Sequence, residues 1–411
     1  MALDSTASAK PHFLWPIVIA QFLVQVGAFS LPALLPFYIE GWDLSKTEGG
    51  WLVGIFFAAY VLAVPVLVSL TDRVPARRIY VIGAGLTAVA HLGFALVADG
   101  FWSGLIFRAM AGVGWAGAYM PGLKAITDTL EGDRQSRAVS MHAASVGIAG
   151  ASSYGIAGLL GEWFGPPSAF LFGGVAASIA VLIAWNVMPK ALLHPDTKAA
   201  PRALLDFRPV FRNKAAMGWI AGYTVHTWEM AALRAWGVTF LAATSASVGS
   251  PSWLPLPSVL FTIAGFLGIA ASIYGNELAQ RYGRVRIVTF AFVAAAILSI
   301  ATGWAGQSSM LLATVLVMVW LAAIFFDSSA LTAGTVQAAD PKLRGATMGL
   351  HSMCGYTGGF IGPLGVGFML DLAGENTSLG WGLGFGHLAI VTLAGYAALR
   401  MLRKRVSQDL S

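Results

Sequence analysis

The chain has 411 residues, of which 57% are hydrophobic and 11% are charged, whereas an ordinary soluble domain carries about 25% charged residues. This composition excludes a water-soluble fold and predicts an all-α integral membrane protein, because apolar stretches of about 20 residues recur along the chain. The net charge of +6 does not indicate nucleic acid as a partner, since the basic residues are placed as membrane topology requires.

Twelve transmembrane helices are predicted from these apolar segments. Their approximate limits in chain order are 13–38, 49–70, 79–99, 102–125, 138–163, 168–188, 216–243, 256–277, 286–306, 309–337, 345–370 and 380–402. The first segment is too long for the core of a signal peptide, so we interpret it as a span. All lysines and arginines except Lys46, Arg108 and Arg234 lie on alternate connections or at the chain ends, which predicts cytoplasmic termini in a bacterial-type inner membrane.

A polar connection at 189–215 divides the spans into six plus six. We therefore expect an N-terminal six-helix bundle over 1–188 and a C-terminal bundle over 216–411. The prolines of the connection argue against one long helix across it, although a short interfacial helix near 203–211 is compatible with its sequence.

Two basic loops repeat between the halves. Thr71-Asp-Arg-Val-Pro-Ala-Arg-Arg78 follows span two, and Ala279-Gln-Arg-Tyr-Gly-Arg-Val-Arg286 follows span eight. A segment that starts at Asp133 precedes span five, and one that starts at Asp340 precedes span eleven with similarly placed basic residues. Duplicated six-span halves place a binding site near the middle of the membrane, where the halves meet.

With these loops the chain resembles the major facilitator superfamily over essentially its full length. The segment Arg108-Ala-Met-Ala-Gly-Val-Gly114 in span four is similar to the arginine-plus-glycine motif of proton-coupled members. Span five lacks the Gly-Pro pair of many drug/proton antiporters, and Gly362-Pro363 occurs in span eleven instead. The resemblance implies two pseudo-symmetric six-helix bundles that act as a secondary transporter by alternating access. Glycines also crowd spans four, five and eleven, and we interpret them mainly as close helix contacts.

The loop after span two looks like the superfamily's loop at that position, and we expect it to gate the cytoplasmic mouth. A carboxylate at Asp72 can cap a neighbouring helix N-terminus, and the arginines can pair with Glu131 or Asp133. The alternative is a positive-inside anchor with no gating role. The residues assigned to the gate are Asp72, Arg73, Arg77, Arg78, Asp133 and Arg137.

Glu229 and Asp327 are the two acids that lie deep inside apolar segments. A charge in a bilayer costs about 3 kcal/mol or more, so such a residue normally faces a cavity and has a function. His226 and Glu229 share a face of span seven, and a buried carboxyl can hold a proton near neutral pH until water or a cation approaches. We therefore predict proton coupling by Glu229, His226 and Asp327. A permanent structural pair is the alternative for Glu229.

The resemblance also implies that spans one, four, seven and ten line the cavity. The candidate substrate-binding residues are Gln21, Gln25, Arg108, Trp115, Tyr119, Tyr223, His226, Trp228 and Arg234. This set is slightly cationic when His226 is protonated, which favours a carboxylate or another small anion. His142 and His351 lie at nearly equivalent positions in spans five and eleven, and they are either gate residues or neutral packing residues.

We find no nucleophile elbow, phosphate-binding loop or metal-spaced Cys/His cluster, so we expect neither an enzyme nor a cofactor. A channel is disfavoured because the charges are asymmetric between duplicated halves. The sequence favours proton-coupled import of a small organic anion by a protein that functions as a monomer in the lipid bilayer. The alternatives are a proton-driven exporter of drugs or metabolites and, on the same fold, a lipid flippase.

Overall fold

The computed structural model describes residues 14–71, 73–190, 207–374 and 377–408. The regular structure of these residues consists of α-helices and two short 3-10 turns. The helices are α1 (Leu14–Gln25), α2 (Ser30–Gly41), α3 (Lys46–Leu70), α4 (Ala76–Leu96), α5 (Phe101–Thr129), α6 (Gly132–Phe164), α7 (Pro167–Val187), α8 (Arg208–Arg212), α9 (Lys214–Val248), α10 (Pro257–Tyr282), α11 (Arg284–Ala305), α12 (Met310–Phe326), α13 (Ser328–Ala338), α14 (Arg344–Ala373) and α15 (Ser378–Gln408).

The predicted all-helical membrane fold is confirmed. Within the described residues, 10 helical segments are long and apolar enough to cross a membrane, and two of these segments are the interrupted pairs α1–α2 and α12–α13. Helices α5, of 29 residues, and α9, of 35 residues, are also long enough, but they fall outside this group and carry the buried charges Arg108 and Glu229. The count of twelve spans therefore stays a prediction.

The predicted spans differ from the helices mainly at their ends and at two interruptions. Helix α6 begins at Gly132, ahead of the predicted 138, and α9 ends at Val248, beyond the predicted 243. Spans one and ten were each expected as a single helix, and each consists of two. The polar connection lies between α7 and α9 and contains the short α8 near its end, while 191–206 lie outside the described residues.

The first interruption lies just before Pro32, at residues 26–29. Proline has no backbone N–H, so it cannot donate to the carbonyl four residues earlier, which here belongs to Ala28. Pro36, Pro65 and Pro121 lie inside uninterrupted helices. The second interruption is the single residue Asp327, between α12 and α13, and the flanking sequence contains neither proline nor glycine.

Close backbone contacts join the two halves at the side of the membrane opposite the termini, which we call the far side. A Cβ atom on Gly50 of α3 would lie 2.6 Å from the Pro363 carbonyl oxygen of α14, and one on Gly54 would lie 2.7 Å from the Phe360 carbonyl oxygen. Between α6 and α10, the Gly155 N–H donates to Thr262 Oγ1 at 2.7 Å. Such small faces let helix backbones touch. The far side is therefore closed.

Candidate functional site

A cavity of about 290 Å³ lies between the two halves. Its wall is mostly apolar and aromatic, which is typical of sites for small organic molecules. The interruption of span one contributes Ala28 and Phe29, and the residue after the other interruption, Ser328, lines the opposite half. The polar lining residues among those described are Gln25, Trp115, Tyr154, Tyr223, Thr227, Arg234, Ser328 and Tyr356.

Among the lining residues in the described parts of the chain, Arg234 is the one lysine, arginine, aspartate or glutamate. Its guanidinium carbon lies 3.8 Å from the centroid of the Phe29 ring in the other half. The Tyr154 ring stacks on Phe29 at 5.4 Å between centroids, and the Tyr154 hydroxyl donates to the Arg234 carbonyl at 2.6 Å. Among the described residues, no carboxylate forms an ion pair with Arg234. Aromatic rings therefore hold a cation at the cavity without neutralising it.

An aromatic cluster surrounds Tyr356, which lines the cavity. The Tyr356 ring lies 4.5 Å from the Tyr60 ring and 5.7 Å from the Trp115 ring, and it stacks on Phe57 at 6.1 Å. Because Tyr356 belongs to α14 and the other three to the N-terminal half, the cluster joins the halves at the middle of the membrane. Trp115 Nε1 has no hydrogen-bond partner in the parts of the chain that the structure describes.

The structure brings only part of the predicted substrate set to the cavity. Gln25, Trp115, Tyr223 and Arg234 line it. The remaining members pack elsewhere: Gln21, Arg108, Tyr119, His226 and Trp228. The sequence interpretation missed Tyr154 and Tyr356, because both lie in spans whose many glycines indicated helix packing. An aromatic residue within a small-residue stretch was the available signal.

Arg108 does not face the cavity, contrary to the sequence expectation. Its side chain is buried, and both terminal guanidinium nitrogens lie 3.4 Å from the Ala28 carbonyl oxygen. Its Nε donates to the Leu52 carbonyl at 3.4 Å, and the guanidinium lies 4.9 Å from the Phe56 ring centroid. The Ala28 carbonyl is the one that Pro32 leaves without a helical donor. Arg108 therefore supplies the missing donors at the interruption of span one.

Other polar groups complete this interruption. His91 Nε2 lies 3.1 Å from the Gly27 carbonyl oxygen, and the Phe29 N–H donates to Ser153 Oγ at 3.0 Å. Backbone groups freed inside a membrane must find protein partners, and these side chains provide them.

Gln21, Tyr119 and His142 lie together in the N-terminal half. His142 Nε2 is 3.2 Å from the Tyr119 carbonyl oxygen, and the two rings stack at 5.5 Å. Gln21 is fully buried, and within the described ranges its Nε2 and Oε1 atoms have no hydrogen-bond partner. Trp228 is partly buried and packs against an apolar cluster to which both halves contribute residues.

His226 and Asp327 meet at the interruption of span ten. The His226 Nδ1 and Asp327 Oδ1 atoms are 2.7 Å apart, which is within ion-pair distance. Both side chains are buried. The Tyr223 ring stacks on His226 at 5.6 Å and on His351 at 3.8 Å, so it links this pair to a second histidine. The His351 Nδ1 in turn lies 3.1 Å from Thr335 Oγ1.

Glu229 is buried inside the C-terminal half and does not line the cavity. Trp320 Nε1 donates to its Oε1 at 2.7 Å, and Thr392 Oγ1 donates to its Oε2 at 2.8 Å. The carboxyl group therefore bridges α9 to α12 and α15, and each of its oxygens has a donor. The ion pair that the sequence left open as an alternative does not form among the described residues, since histidine pairs with Asp327 instead.

The members of the predicted gate that the structure describes lie on the side of the termini. Arg73, Arg78, Asp133 and Arg137 are exposed. Arg77 is half-buried, with its guanidinium 4.2 Å from the Trp185 ring centroid. Among the described residues no ion pair joins these arginines to an acid, and Asp72 lies outside the described residues. Because the far side is the closed one, pairing of this gate in the opposite state stays a prediction.

Two helical halves that enclose one cavity within the membrane define a secondary transporter rather than an enzyme. A comparison of the sequence with protein-family models supports this class over most of the chain. The chain belongs to the Major Facilitator Superfamily, whose family model matches residues 17–363.

The protein sequences that match this chain share a low percentage of identical residues with it. Protein spinster homolog 1 of Bos taurus is 22% identical over 277 residues, which cover 62% of this chain and 52% of that protein. The uncharacterized MFS-type transporter YfiU of Bacillus subtilis (strain 168) is 26% identical over 193 residues, which cover 47% of this chain and 36% of that protein. The chain thus spans about half the length of the spinster relatives that it matches.

Solved structures of two transporters show the same fold. A bacterial homologue of the human lysosomal transporter Spinster, in an inward-facing and unoccupied conformation, has a TM-score of 0.80 at 15% identity and covers 97% of each chain. The nucleoside transporter NupG has a TM-score of 0.76 at 16% identity and covers 96% of this chain and 99% of its own. At these identities the likeness is one of fold.

Proposed function

We propose that the protein moves a small organic anion, with a carboxylate and an apolar body, across the membrane by proton-coupled alternating access. The observation that carries this proposal is Arg234. It is a cation at the cavity wall, stacked on Phe29 and without a carboxylate partner among the described residues. A carboxylate can bind the fork of the guanidinium with two parallel hydrogen bonds.

The wall of the cavity supports an apolar body for this substrate. Phe57, Trp115 and Tyr356 surround the space, and Gln25 brings a side-chain carbonyl oxygen that has no hydrogen-bond partner among the described residues. A cationic drug would meet Arg234, and no acid among the described residues lines the cavity to offset that charge, so the charge disfavours export of cations. A nucleoside, the substrate class of NupG, lacks the negative charge and is a suitable neutral comparison.

We assign proton exchange to the His226–Asp327 pair, with Glu229 as the second candidate. Protonation of Asp327 removes the charge that holds His226 at 2.7 Å, and the pair lies at the interruption of span ten. A contact whose partners change charge can bias a helix interruption between two arrangements. By the positive-inside rule we assign the side of the termini to the cytoplasm.

A thermal-shift comparison of acids with their own amides tests the anion proposal. Each aromatic or aliphatic monocarboxylate is paired with its primary amide, so that only the charge differs, and a nucleoside serves as a further neutral compound. A ligand at 100 times its Kd stabilises the folded state by about 2.7 kcal/mol. We expect stabilisation by acids alone, and its loss in Arg234→Gln.

The matched control is Arg400→Gln on α15, where the arginine is exposed and lies 5.9 Å from the Tyr396 ring centroid. This variant removes the same charge far from the cavity and should keep the response to acids. Equal stabilisation by acids and amides, or an unchanged response in Arg234→Gln, would refute the assignment of an anion to this cavity.

A further inference from the structure

Asp371, near the far end of α14, bonds to the first residues of α3 in the other half of the protein. Its Oδ1 accepts the Lys46 N–H at 2.9 Å. Its Oδ2 accepts the Thr47 N–H at 2.8 Å and the Thr47 hydroxyl at 2.5 Å. One carboxylate therefore takes three donors across the boundary between the halves.

The position of these donors makes a carboxylate favourable. The first N–H groups of a helix have no partner within the helix, and the helix dipole favours negative charge at that end. Helix α3 already has a local cap, since Ser45 Oγ accepts the Glu48 N–H at 3.1 Å and Glu48 Oε2 accepts the Ser45 N–H at 2.9 Å. Asp371 thus adds a second cap to the same helix, and only this second cap links the two halves.

The surrounding packing makes this bond dependent on closure of the far side. A Cβ atom on Gly367, one turn before Asp371, would collide with the Lys46 carbonyl oxygen. The contacts of Gly50 with Pro363 and of Gly54 with Phe360 continue the same seam towards the middle of the membrane. Opening of the cavity to the far side requires α3 and α14 to separate along this seam, and Asp371 then loses all three donors.

We propose that Asp371 is a gating residue that stabilises the state closed at the far side by capping α3 of the opposite half. The inference rests on the alternating access of the proposed function, but on neither the anion nor the proton. The sequence predicts a gate on the side of the termini. The contact of Asp371 with α3 would be the corresponding gate at the far side.

Distances between spin labels at the far side test this proposal directly. Labels are attached at Glu162→Cys, on the far end of α6, and at Ser252→Cys, in the loop before α10; both positions are exposed. The single native cysteine is first replaced by Cys354→Ser. Loss of a helix cap costs about 1 kcal/mol, so Asp371→Ala should raise the ratio of far-side-open to far-side-closed molecules by about fivefold.

Glu48→Ala is the matched control, because it removes an acid from the same helix terminus without breaking a bond between the halves. It should leave the distance distribution as in the parent. Asp371→Asn should give an intermediate shift, since an amide oxygen can still accept from one donor. A distribution in Asp371→Ala that equals the parent, in protein that elutes as one homogeneous peak, would overturn the proposal.

A reversible cross-link gives an independent test that does not depend on a weakened fold. The pair Thr47→Cys and Asp371→Cys replaces the hydrogen bonds with a disulfide under oxidation. The labels are attached through thioethers after oxidation, so that reduction leaves them in place. The oxidised protein should show only the short far-side distance. After reduction it should shift towards the far-side-open distances, as Asp371→Ala does, because the carboxylate that caps α3 is absent. If the oxidised protein still samples the far-side-open distances, the seam does not separate during opening and Asp371 has no gating role. Because label distances need no substrate, failure here is separate from failure of the anion proposal.

Discussion

Replacement of Arg108 with methionine should destabilise the protein through the interruption of span one rather than through substrate binding. The arginine is buried, and its guanidinium faces the Ala28 carbonyl that Pro32 deprives of a helical donor. Methionine fills part of the volume but donates no hydrogen bond. The Ala28 carbonyl is then left without its side-chain donor in an apolar environment.

The expected magnitude follows from these contacts. A buried polar group without a partner costs about 1–3 kcal/mol. The distances of 3.4 Å from the guanidinium to the Ala28 and Leu52 oxygens are long for hydrogen bonds, which places the loss at the lower end. Loss of the contact between the cation and Phe56, at 4.9 Å, adds about 1 kcal/mol. We therefore expect Arg108→Met to lower the free energy of unfolding by about 2 kcal/mol.

A double-mutant cycle with Pro32→Ala separates this explanation from a general packing defect. The Ala33 N–H already donates to the Phe29 carbonyl at 3.1 Å, so the N–H of an alanine at position 32 would point at the Ala28 carbonyl. With that donor restored, Arg108→Met should cost about 1 kcal/mol less than in the parent background.

Reversible unfolding in mixed detergent micelles measures all four proteins of the cycle. The acid-induced thermal stabilisation of the parent and of Arg108→Met is measured alongside. Equal costs of Arg108→Met in both backgrounds would refute the role assigned to the Ala28 carbonyl. Unchanged stability together with a lost response to acids would instead support the sequence interpretation, in which Arg108 binds the anion.

Two further predictions concern coupling and the gate. In proteoliposomes, Asp327→Asn and Glu229→Gln should each abolish accumulation driven by a pH gradient but keep counterflow exchange, because the amides mimic protonated acids; concentrative uptake by either variant would remove that acid from the coupling set. Asp72→Asn, whose site lies outside the described residues, should increase thiol labelling of single cysteines near the termini-side mouth and decrease it at the far side. Unchanged labelling on both sides would leave that loop as a topology signal.

The sequence predicted the membrane fold well because long apolar segments and alternate basic loops each report on the bilayer directly. It also predicted Gln25, Trp115, Tyr223 and Arg234 at the cavity, because the resemblance named the lining spans. The sequence could not predict that the Arg108 side chain points away from the cavity. The partner of this cation is a main-chain oxygen in span one, and a carbonyl carries no sequence signal of its own.

The sequence also could not predict the helix interruption at Asp327. Proline and glycine are the residues that mark helix breaks in a sequence, and the segment from Phe326 to Ser329 has neither. What distinguishes this position is tertiary: His226 on α9 approaches Asp327 within 2.7 Å, and a Cβ atom on Gly275 of α10 would collide with the Phe326 carbonyl. Contacts from two other helices therefore accompany the break, and none of them is local in the chain.

The two interruptions lie on opposite sides of the cavity, and each is next to a buried ionisable side chain that does not itself line the cavity. In the N-terminal half, the cation Arg108 holds the carbonyl of Ala28, and Ala28 lines the cavity. In the C-terminal half, the acid Asp327 precedes Ser328, which also lines it. Arg234 stacks on Phe29, the last residue of the first interruption. A substrate that binds Arg234 and fills the cavity therefore contacts both helix breaks. This is the arrangement in which binding at the middle of the membrane can bias two bundles at once.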